Sequence, residues 1–276
     1  ILDENFASDA DLDAITALIL ASRRWNRPDY LTLAQAKLQD LWELSTVSLS
    51  ADTPETRYFL PGPKAAFQAQ STPQSSLIYL NPSYLAPYAF RLFAQVDPSR
   101  NWLSLVDSSY EILTQSAALS SLGLPSDWIA LDSVTGEYLP MPASHPLQSR
   151  YGFDAYRVWW RLSLDAIWFD EPRARQYLQQ HLAPLRAMWR SRQSIPAQID
   201  LQGQPMVTYE STAQYAMLYA GLQLIDPAIA AQIRQQKLLP AYQNGFWDSD
   251  SAYYSQNMAG FGLFSPADVD QGWLQP

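Results

Sequence analysis

Successive segments of this chain carry apolar residues at the spacing of an α-helix. In the first segment Leu12, Ile15, Leu18 and Ile19 form one apolar stripe. Similar segments recur up to residue 262 and give about nine helices in consecutive pairs. The sequence has no βαβ alternation, no glycine-rich phosphate loop and no exact repeat. Paired amphipathic helices in this number predict an all-α toroid in which inner and outer helices alternate.

Short strand-like runs interrupt the helices. Residues 47–80 contain four prolines between runs such as 58–60 and 77–80, and predict a β-hairpin or paired short strands. A second strand-like insertion is expected at residues 195–208, and loop with strand at residues 125–146. The S-D-A-D motif predicts a capping box, with Ser8 as the N-cap of the first helix and Asp11 three residues later.

Composition and charge exclude several classes of protein. The 276 residues are 47% hydrophobic, and by length and composition one large domain is as plausible as two. The formal net charge of -9 argues against a nucleic-acid surface. The chain has no cysteine and only two histidines, far apart, so we predict no metal and no cofactor. No apolar run is long enough to span a bilayer.

Residues 151–165 combine charged and aromatic side chains. Asp154 and Arg157 are three positions apart and would share one face of a helix, with Trp159 and Trp160 close behind. One interpretation is a structural Asp–Arg pair beside a tryptophan core. The other is a sugar site, because a carboxylate near an arginine favours its charged form and aromatic planes stack on sugar rings. The 10 Trp, 16 Tyr and 10 Phe of this acidic chain are typical of carbohydrate recognition, and equally of a packed core.

Five stretches together resemble glycoside hydrolase family 8. In order they are N-x-x-S-D-A-D-L-D at residues 5–13, N-P-S-Y-L-A-P at 81–87, P-S-D-W at 125–128, Y-G-F-D-A-Y-R-V-W-W-R at 151–161 and D-S-x-A-Y-Y, with D-S at 248–249 and A-Y-Y at 252–254. The likeness extends over nearly the whole chain and is greatest to the periplasmic endoglucanases encoded with bacterial cellulose synthase. It implies an (α/α)6 barrel with small β-hairpin insertions, and we interpret residues 1–276 as a single domain of this type that is incomplete at its N-terminus.

The resemblance also implies a function. Members of the family hydrolyse β-1,4 glycans with inversion, so it implies an endo-β-1,4-glucanase linked to cellulose biosynthesis, secreted or periplasmic. The expected partner is a β-1,4-glucan, and the cellulose synthase complex is a candidate partner. The alternatives are a xylanase, chitosanase or lichenase of the same family, or a non-catalytic glycan-binding protein on a degenerate hydrolase fold.

Residue roles follow from the matched motifs. Asp154 matches the catalytic base, Asp9 the acidic residue that contacts the sugar at the cleavage point, and Tyr84 the tyrosine near the attacking water. Arg157 matches the arginine that follows the base. The candidate stacking platforms for the substrate are Trp160, Trp159, Trp128, Tyr253 and Tyr254.

The general acid of the family is a Glu in an E-G-x-G-Y-G-M motif upstream of S-D-A-D, and no such motif precedes Ser8 here. Glu210 lies in the most similar stretch, but at a different spacing, and we do not assign it. We therefore expect a barrel that lacks its first helices in this chain. The inward faces of the first and last helices should then meet solvent, at Leu12, Ile15, Leu18, Ile19, Tyr254, Met258 and Phe261.

Overall fold

The computed structural model describes residues 5–49, 54–68 and 76–275. The chain divides into two compact units. The first comprises Ile1–Leu113, Trp128–Gln148 and Ala267–Pro276, and the second comprises Thr114–Asp127 and Ser149–Pro266. The single-domain interpretation of residues 1–276 stays a prediction.

The described part of the first unit contains the first helices of the chain. They are α1 (Ser8–Trp25), α2 (Pro28–Ser45), α3 (Lys64–Phe67), α4 (Pro87–Val96) and α5 (Trp102–Ala118), whose last turn belongs to the second unit. Helices α2 and α4 each begin with a proline. The first N–H groups of a helix have no partner within the helix, so the N–H that proline lacks removes no helical hydrogen bond there. Helix α1 ends at Trp25, and its C-cap Asn26 has a left-handed φ of 50° and donates its N–H to the carbonyl of Ser22.

The apolar stripe of α1 forms part of the core of the first unit. Leu12, Ile15 and Ile19 are fully buried, because α1 packs against α2 and α4. The expectation that these three side chains face solvent is therefore wrong. The capping prediction is also wrong: Ala7 is the N-cap, and the Ser8 hydroxyl donates to the carbonyl of Leu60 at 2.6 Å.

The strands of the first unit are short and antiparallel. They are β1 (Thr46–Val47), β2 (Tyr58–Phe59), β3 (Leu77–Leu80), β4 (Ile129–Asp132) and β5 (Tyr138–Pro140). Strand β1 pairs with β2, as predicted for paired short strands in this region. Strand β3 instead pairs with β4, about fifty residues further along the chain, in a three-stranded sheet with the order β3-β4-β5.

The second unit is also helical. It contains α6 (Arg157–Trp168), α7 (Pro172–His181), α8 (Ala183–Arg192), α9 (Thr212–Ile225), α10 (Pro227–Ile233), α11 (Leu239–Ala241) and α12 (Tyr253–Leu263). A π-helical segment, Arg234–Leu238, links α10 to α11, and a hairpin of β6 (Tyr242–Gln243) and β7 (Phe246–Trp247) precedes α12.

Helix α9 is the centre of the second unit. It packs against α6, α7, α10 and α12, and most of its residues are buried. Gly262 of α12 lies against the backbone of Ala216 in α9, so the two helices approach more closely than a side chain at position 262 would allow. Met258 of α12 is buried here, against our expectation, whereas Phe261 is 40% exposed.

The predicted strand insertion at residues 195–208 is reduced to isolated bridges. Ile199 pairs with Tyr151 on one side and with Pro205 on the other. Gly203 has a φ of +82°, a conformation that suits glycine, and closes the turn between the bridged residues. The bridge to Tyr151 fixes one end of the segment that carries Asp154.

Candidate active site

Asp154 lies in a tight turn immediately before α6. The turn is closed by two backbone hydrogen bonds, from the N–H of Tyr156 to the carbonyl of Gly152 at 3.2 Å and from the N–H of Arg157 to the carbonyl of Asp154 at 3.1 Å. The sequence predicted that Asp154 and Arg157 share a helix face. In the structure only Arg157 is helical, and the turn brings the two side chains together.

Asp154 and Arg157 form a short ion pair. The Arg157 guanidinium donates to Oδ1 of Asp154 at 2.6 Å. The Asp154 side chain is 34% exposed and that of Arg157 only 13% exposed. The carboxylate is thus held at the surface by a largely buried cation, an arrangement that suits a group which must reach a substrate or a water molecule.

Asp127 lies beneath this turn, and we did not predict it as a site residue. Its Oδ1 accepts the backbone N–H groups of Asp154 at 3.0 Å and of Ala155 at 2.8 Å. Arg150 donates from Nε to Oδ2 at 3.4 Å. A Cβ at Gly152 would lie only 2.6 Å from Oδ2, so the glycine leaves room for the carboxyl group.

The environment of Asp127 favours its protonated form. Burial, and then repulsion from the charge of Asp154, raise the pKa of Asp127 to about 7. The hydrogen bond from Ala155 and the attraction of Arg150 act in the opposite direction but are smaller. A buried carboxyl group that favours its protonated form therefore lies beneath the turn, and the carboxyl group of the turn itself, that of Asp154, is at the surface in an ion pair.

Aromatic residues support the same turn. Tyr254 of α12 donates its hydroxyl proton to the carbonyl of Phe153, and the two rings meet edge to face at 6.0 Å. Tyr156 donates to the carbonyl of Ala197. Burial raises the pKa of Tyr254 above its ordinary value, so its hydroxyl stays protonated and able to donate.

Comparison with known proteins defines the family of this chain. The family model described as Glycosyl hydrolases family 8 matches residues 1–265. The chain belongs to this family. A curated relative named Endoglucanase, from Xanthomonas axonopodis pv. citri, is 32% identical over 186 residues, which cover 67% of this chain and 43% of that protein.

The solved structures similar to this chain include two glucanases. The endo-1,4-D-glucanase of Vibrio fischeri ES114 has a TM-score of 0.76 at 23% identity, with 95% of this chain and 70% of that chain covered. The endo-beta-1,4-glucanase CMCax of Acetobacter xylinum has a TM-score of 0.68 at 20% identity, with 98% and 73% covered. The predicted fold class, the (α/α)6 barrel of family 8 with small β-insertions, is confirmed. The chain spans less than half the length of the curated relative.

The tryptophans of the family 8 motif lie inside the second unit. Trp159 is fully buried and donates from Nε1 to the hydroxyl of Tyr151 at 3.1 Å. Trp160 is 6% exposed and stacks on Phe261 with ring centroids 4.8 Å apart. Both side chains are buried in this structure, and their role as stacking platforms stays a prediction. They face inward because α6 is buried along nearly its whole length.

The remaining predicted aromatics differ in exposure. Tyr253 is 78% exposed at the start of α12, whereas the adjacent Tyr254 is partly buried against Phe153. In the first unit, Trp128 is partly exposed, stacks on Phe67 at 5.9 Å and meets the Tyr84 ring at 6.3 Å. Tyr253 and Trp128 therefore keep surface that a sugar ring could contact.

Asp9 and Tyr84 belong to the first unit, whereas Asp154 and Arg157 belong to the second. Asp9 is 8% exposed in the first turn of α1, and its Oδ1 accepts the N–H of Ala10 at 2.9 Å. Tyr84 ends a 3₁₀ turn that begins at Pro82. The side-chain Oδ1 of Asn81 caps this turn by accepting the N–H of Ser83 at 3.0 Å.

Glu210 is part of a separate ion-pair cluster in the second unit. Both its oxygens accept from Nζ of Lys237, at 2.9 and 2.8 Å, and it also accepts from Tyr215. Burial acts to raise the pKa of Glu210, but the hydrogen bonds from Lys237 and Tyr215 outweigh burial, so the pKa is lowered overall. A general acid needs a raised pKa, so this environment agrees with our decision not to assign Glu210.

The described residues contain neither a metal-binding cluster nor a membrane-spanning helix. Within residues 5–49, 54–68 and 76–275, no group of three or more His, Cys, Asp or Glu side chains is arranged to hold a metal ion. In the same ranges, none of the helices has both the length and the apolar character needed to cross a membrane.

Proposed function

We propose that the full-length protein is an inverting endo-β-1,4-glucanase and that Asp154 is its general base. The observation that carries the proposal is the ion pair of Asp154 and Arg157 in the Y-G-F-D-A-Y-R motif of a family 8 chain. The pair holds the Asp154 carboxyl group at the surface of the second unit, on a turn held by backbone hydrogen bonds. Relatives and neighbours named as endoglucanases support the choice of substrate.

In the proposed reaction Asp154 removes a proton from a water molecule, and the water oxygen forms a bond to the anomeric carbon. The glycosidic bond breaks on the opposite side, and its oxygen takes a proton from a general acid. Attack and departure on opposite faces invert the anomeric configuration. The proposal assigns no residue of this chain as the acid, and Tyr84 and Asp9 are proposed to contact the water and the sugar.

The proposed biological role is in the production or turnover of cellulose by a secreted or periplasmic enzyme. The proposed partner is a β-1,4-glucan, with the cellulose synthase complex as a candidate second partner. Hydrolysis of carboxymethylcellulose by the full-length protein, compared with xylan and chitosan, tests the substrate. The anomer released first, followed by NMR, tests inversion. Cleavage of xylan or chitosan in preference to the glucan would overturn the assignment as a glucanase. No cleavage of any of the three polysaccharides would overturn the assignment as a glycoside hydrolase.

Asp154→Asn tests the base directly, and Asp170→Asn is a matched control. Asp170 lies in the same unit and also pairs with an arginine, Arg175 at 3.3 Å, but its side chain is 91% exposed. We expect turnover to fall by about 100- to 10,000-fold for Asp154→Asn and to stay unchanged for Asp170→Asn. Near-normal turnover of Asp154→Asn would show that the base lies elsewhere.

A further inference from the structure

Asp127 is a buried carboxyl group whose hydrogen-bond donors Arg150, Asp154 and Ala155 lie 23 to 28 residues further along the chain. It is 5% exposed at the end of a loop, 27 residues before Asp154. A buried carboxyl is costly unless its oxygens are used. Here Oδ1 is used twice, by two adjacent N–H groups of the Asp154 turn, and Oδ2 is used by Arg150.

The two N–H groups bound by Asp127 determine the geometry of the turn. An N–H bond lies in the plane of its peptide group, so holding the N–H directions of Asp154 and Ala155 restricts the two peptide planes on either side of the Asp154 Cα. The direction of the Cα–Cβ bond of Asp154 follows from those planes. Arg157 then holds only the far end of the side chain, at Oδ1.

We propose that Asp127 is a positioning residue: by accepting the N–H groups of Asp154 and Ala155, it sets the direction in which the Asp154 carboxylate meets the substrate. This inference rests on the proposed function for its catalytic consequence. Asp127 itself is too deeply buried to touch a substrate. Asp127 acts by orienting the Asp154 carboxyl group towards the substrate, and a small misplacement of a catalytic group lowers turnover strongly.

The charged and titratable groups around Asp127 are consistent with this role. Arg150 contacts it directly, the Asp154 charge lies above it, and the hydroxyls of Tyr151, Tyr156 and Tyr254 are close enough to be influenced by its charge. The acceptor Oδ1 serves the two N–H groups whether or not the carboxyl is protonated. An asparagine, which keeps a carbonyl oxygen at this position, should therefore preserve the geometry.

The test compares Asp127→Ala and Asp127→Asn in the full-length protein. Amide hydrogen exchange at Asp154 and Ala155 reports the geometry without any reference to activity, and kcat and KM on soluble β-1,4-glucan report its consequence. We expect the alanine variant to exchange faster at both amides and to lose about 100-fold in kcat with little change in KM. The asparagine variant should keep slow exchange and most of the wild-type kcat.

Asp97 provides a matched control in the first unit. It is 8% exposed and accepts hydrogen bonds from Ser99, Arg100 and Trp102. Asp97→Ala should lower stability without moving kcat or the exchange at Asp154. If Asp127→Ala does not fold, Gly152→Ala gives the same test, since its Cβ would displace the Asp127 carboxyl.

The outcomes separate the inference from the proposed function. Unchanged exchange at Asp154 and Ala155 would overturn the inference, and so would faster exchange with an unchanged kcat. A wild-type protein that hydrolyses no glycan would overturn the proposed function, and exchange at the two amides would still decide whether Asp127 fixes the turn.

Discussion

Replacing Asp127 by asparagine should remove a large pH dependence of stability. The folded protein holds the Asp127 proton up to about pH 7, whereas an ordinary aspartate releases it near 3.8. Between these values the folded state binds more protons than the unfolded state. The free energy of unfolding must therefore fall as the pH rises through this range.

The size of the effect follows from the shift. The contribution of Asp127 is fully present below the unfolded pKa and is lost as the pH rises through the folded pKa, which corresponds to about 4 kcal/mol in total. Between about pH 5 and about pH 8 the expected loss is about 2 to 3 kcal/mol. Burial and the Asp154 charge outweigh Arg150 here, because the guanidinium is 3.4 Å away on a partly exposed side chain.

Urea unfolding of the wild type and of Asp127→Asn across this pH range measures the effect. The difference in unfolding free energy between the two proteins isolates Asp127 from all other titrating groups. As the pH rises from about 5 to about 8, the unfolding free energy of the wild type should fall by about 2 to 3 kcal/mol relative to that of the variant. Asp97→Asn should give a difference from wild type that stays constant over this pH range. Burial acts to raise the pKa of Asp97, but hydrogen bonds from Ser99, Trp102 and Arg100 outweigh it and lower the pKa, so Asp97 titrates only below about pH 4. A pH-independent difference between wild type and Asp127→Asn would refute the reasoning.

Three further predictions concern single side chains. Asp154→Asn should keep the wild-type unfolding free energy within about 1 kcal/mol while turnover is lost, since its side chain is at the surface; urea unfolding beside kinetics checks this. Gly262→Ala should destabilise by about 3 kcal/mol or more, because its Cβ would meet the Ala216 backbone, whereas Gly260→Ala in the same helix has open space and should be neutral or stabilising in the same unfolding assay. Tyr253→Ala should leave stability within about 0.5 kcal/mol and raise KM for polysaccharide if the exposed ring contacts sugar, and an unchanged KM would exclude that contact.

Features with a local cause were predictable from the sequence. The period of the α1 stripe identified Leu12, Ile15 and Ile19 as one face, and the three-residue spacing of Asp154 and Arg157 identified an ion pair that the structure contains. The spacing did not specify a helix, because a tight turn also brings positions three apart into contact. That is why the pair was predicted correctly and its secondary structure was not.

Features that depend on distant contacts were not predictable in the same way. Trp159 and Tyr253 are both large aromatics in family motifs, yet the first is fully buried and the second 78% exposed. Only the packing of α6 and α12 distinguishes them. Strand β3 pairs with β4 across a separation that no local pattern encodes. Asp127 was visible as the charged residue of P-S-D-W, but its link to the Asp154 turn depends on the folded chain.

Gly152 and Asp127 should therefore behave as one element although they lie in different motifs. A Cβ at position 152 would be 2.6 Å from Oδ2 of Asp127, and that carboxyl is held in place by two N–H groups and Arg150. Gly152→Ala should cost about 1–3 kcal/mol in the wild type, because the carboxyl or the turn must move. In an Asp127→Ala background the obstructing atom is gone, so the same substitution should cost much less. A double-mutant cycle on unfolding free energy measures this coupling, which should be at least about 1 kcal/mol. Additive effects of the two substitutions would mean that Gly152 is required for some reason other than the approach of Asp127.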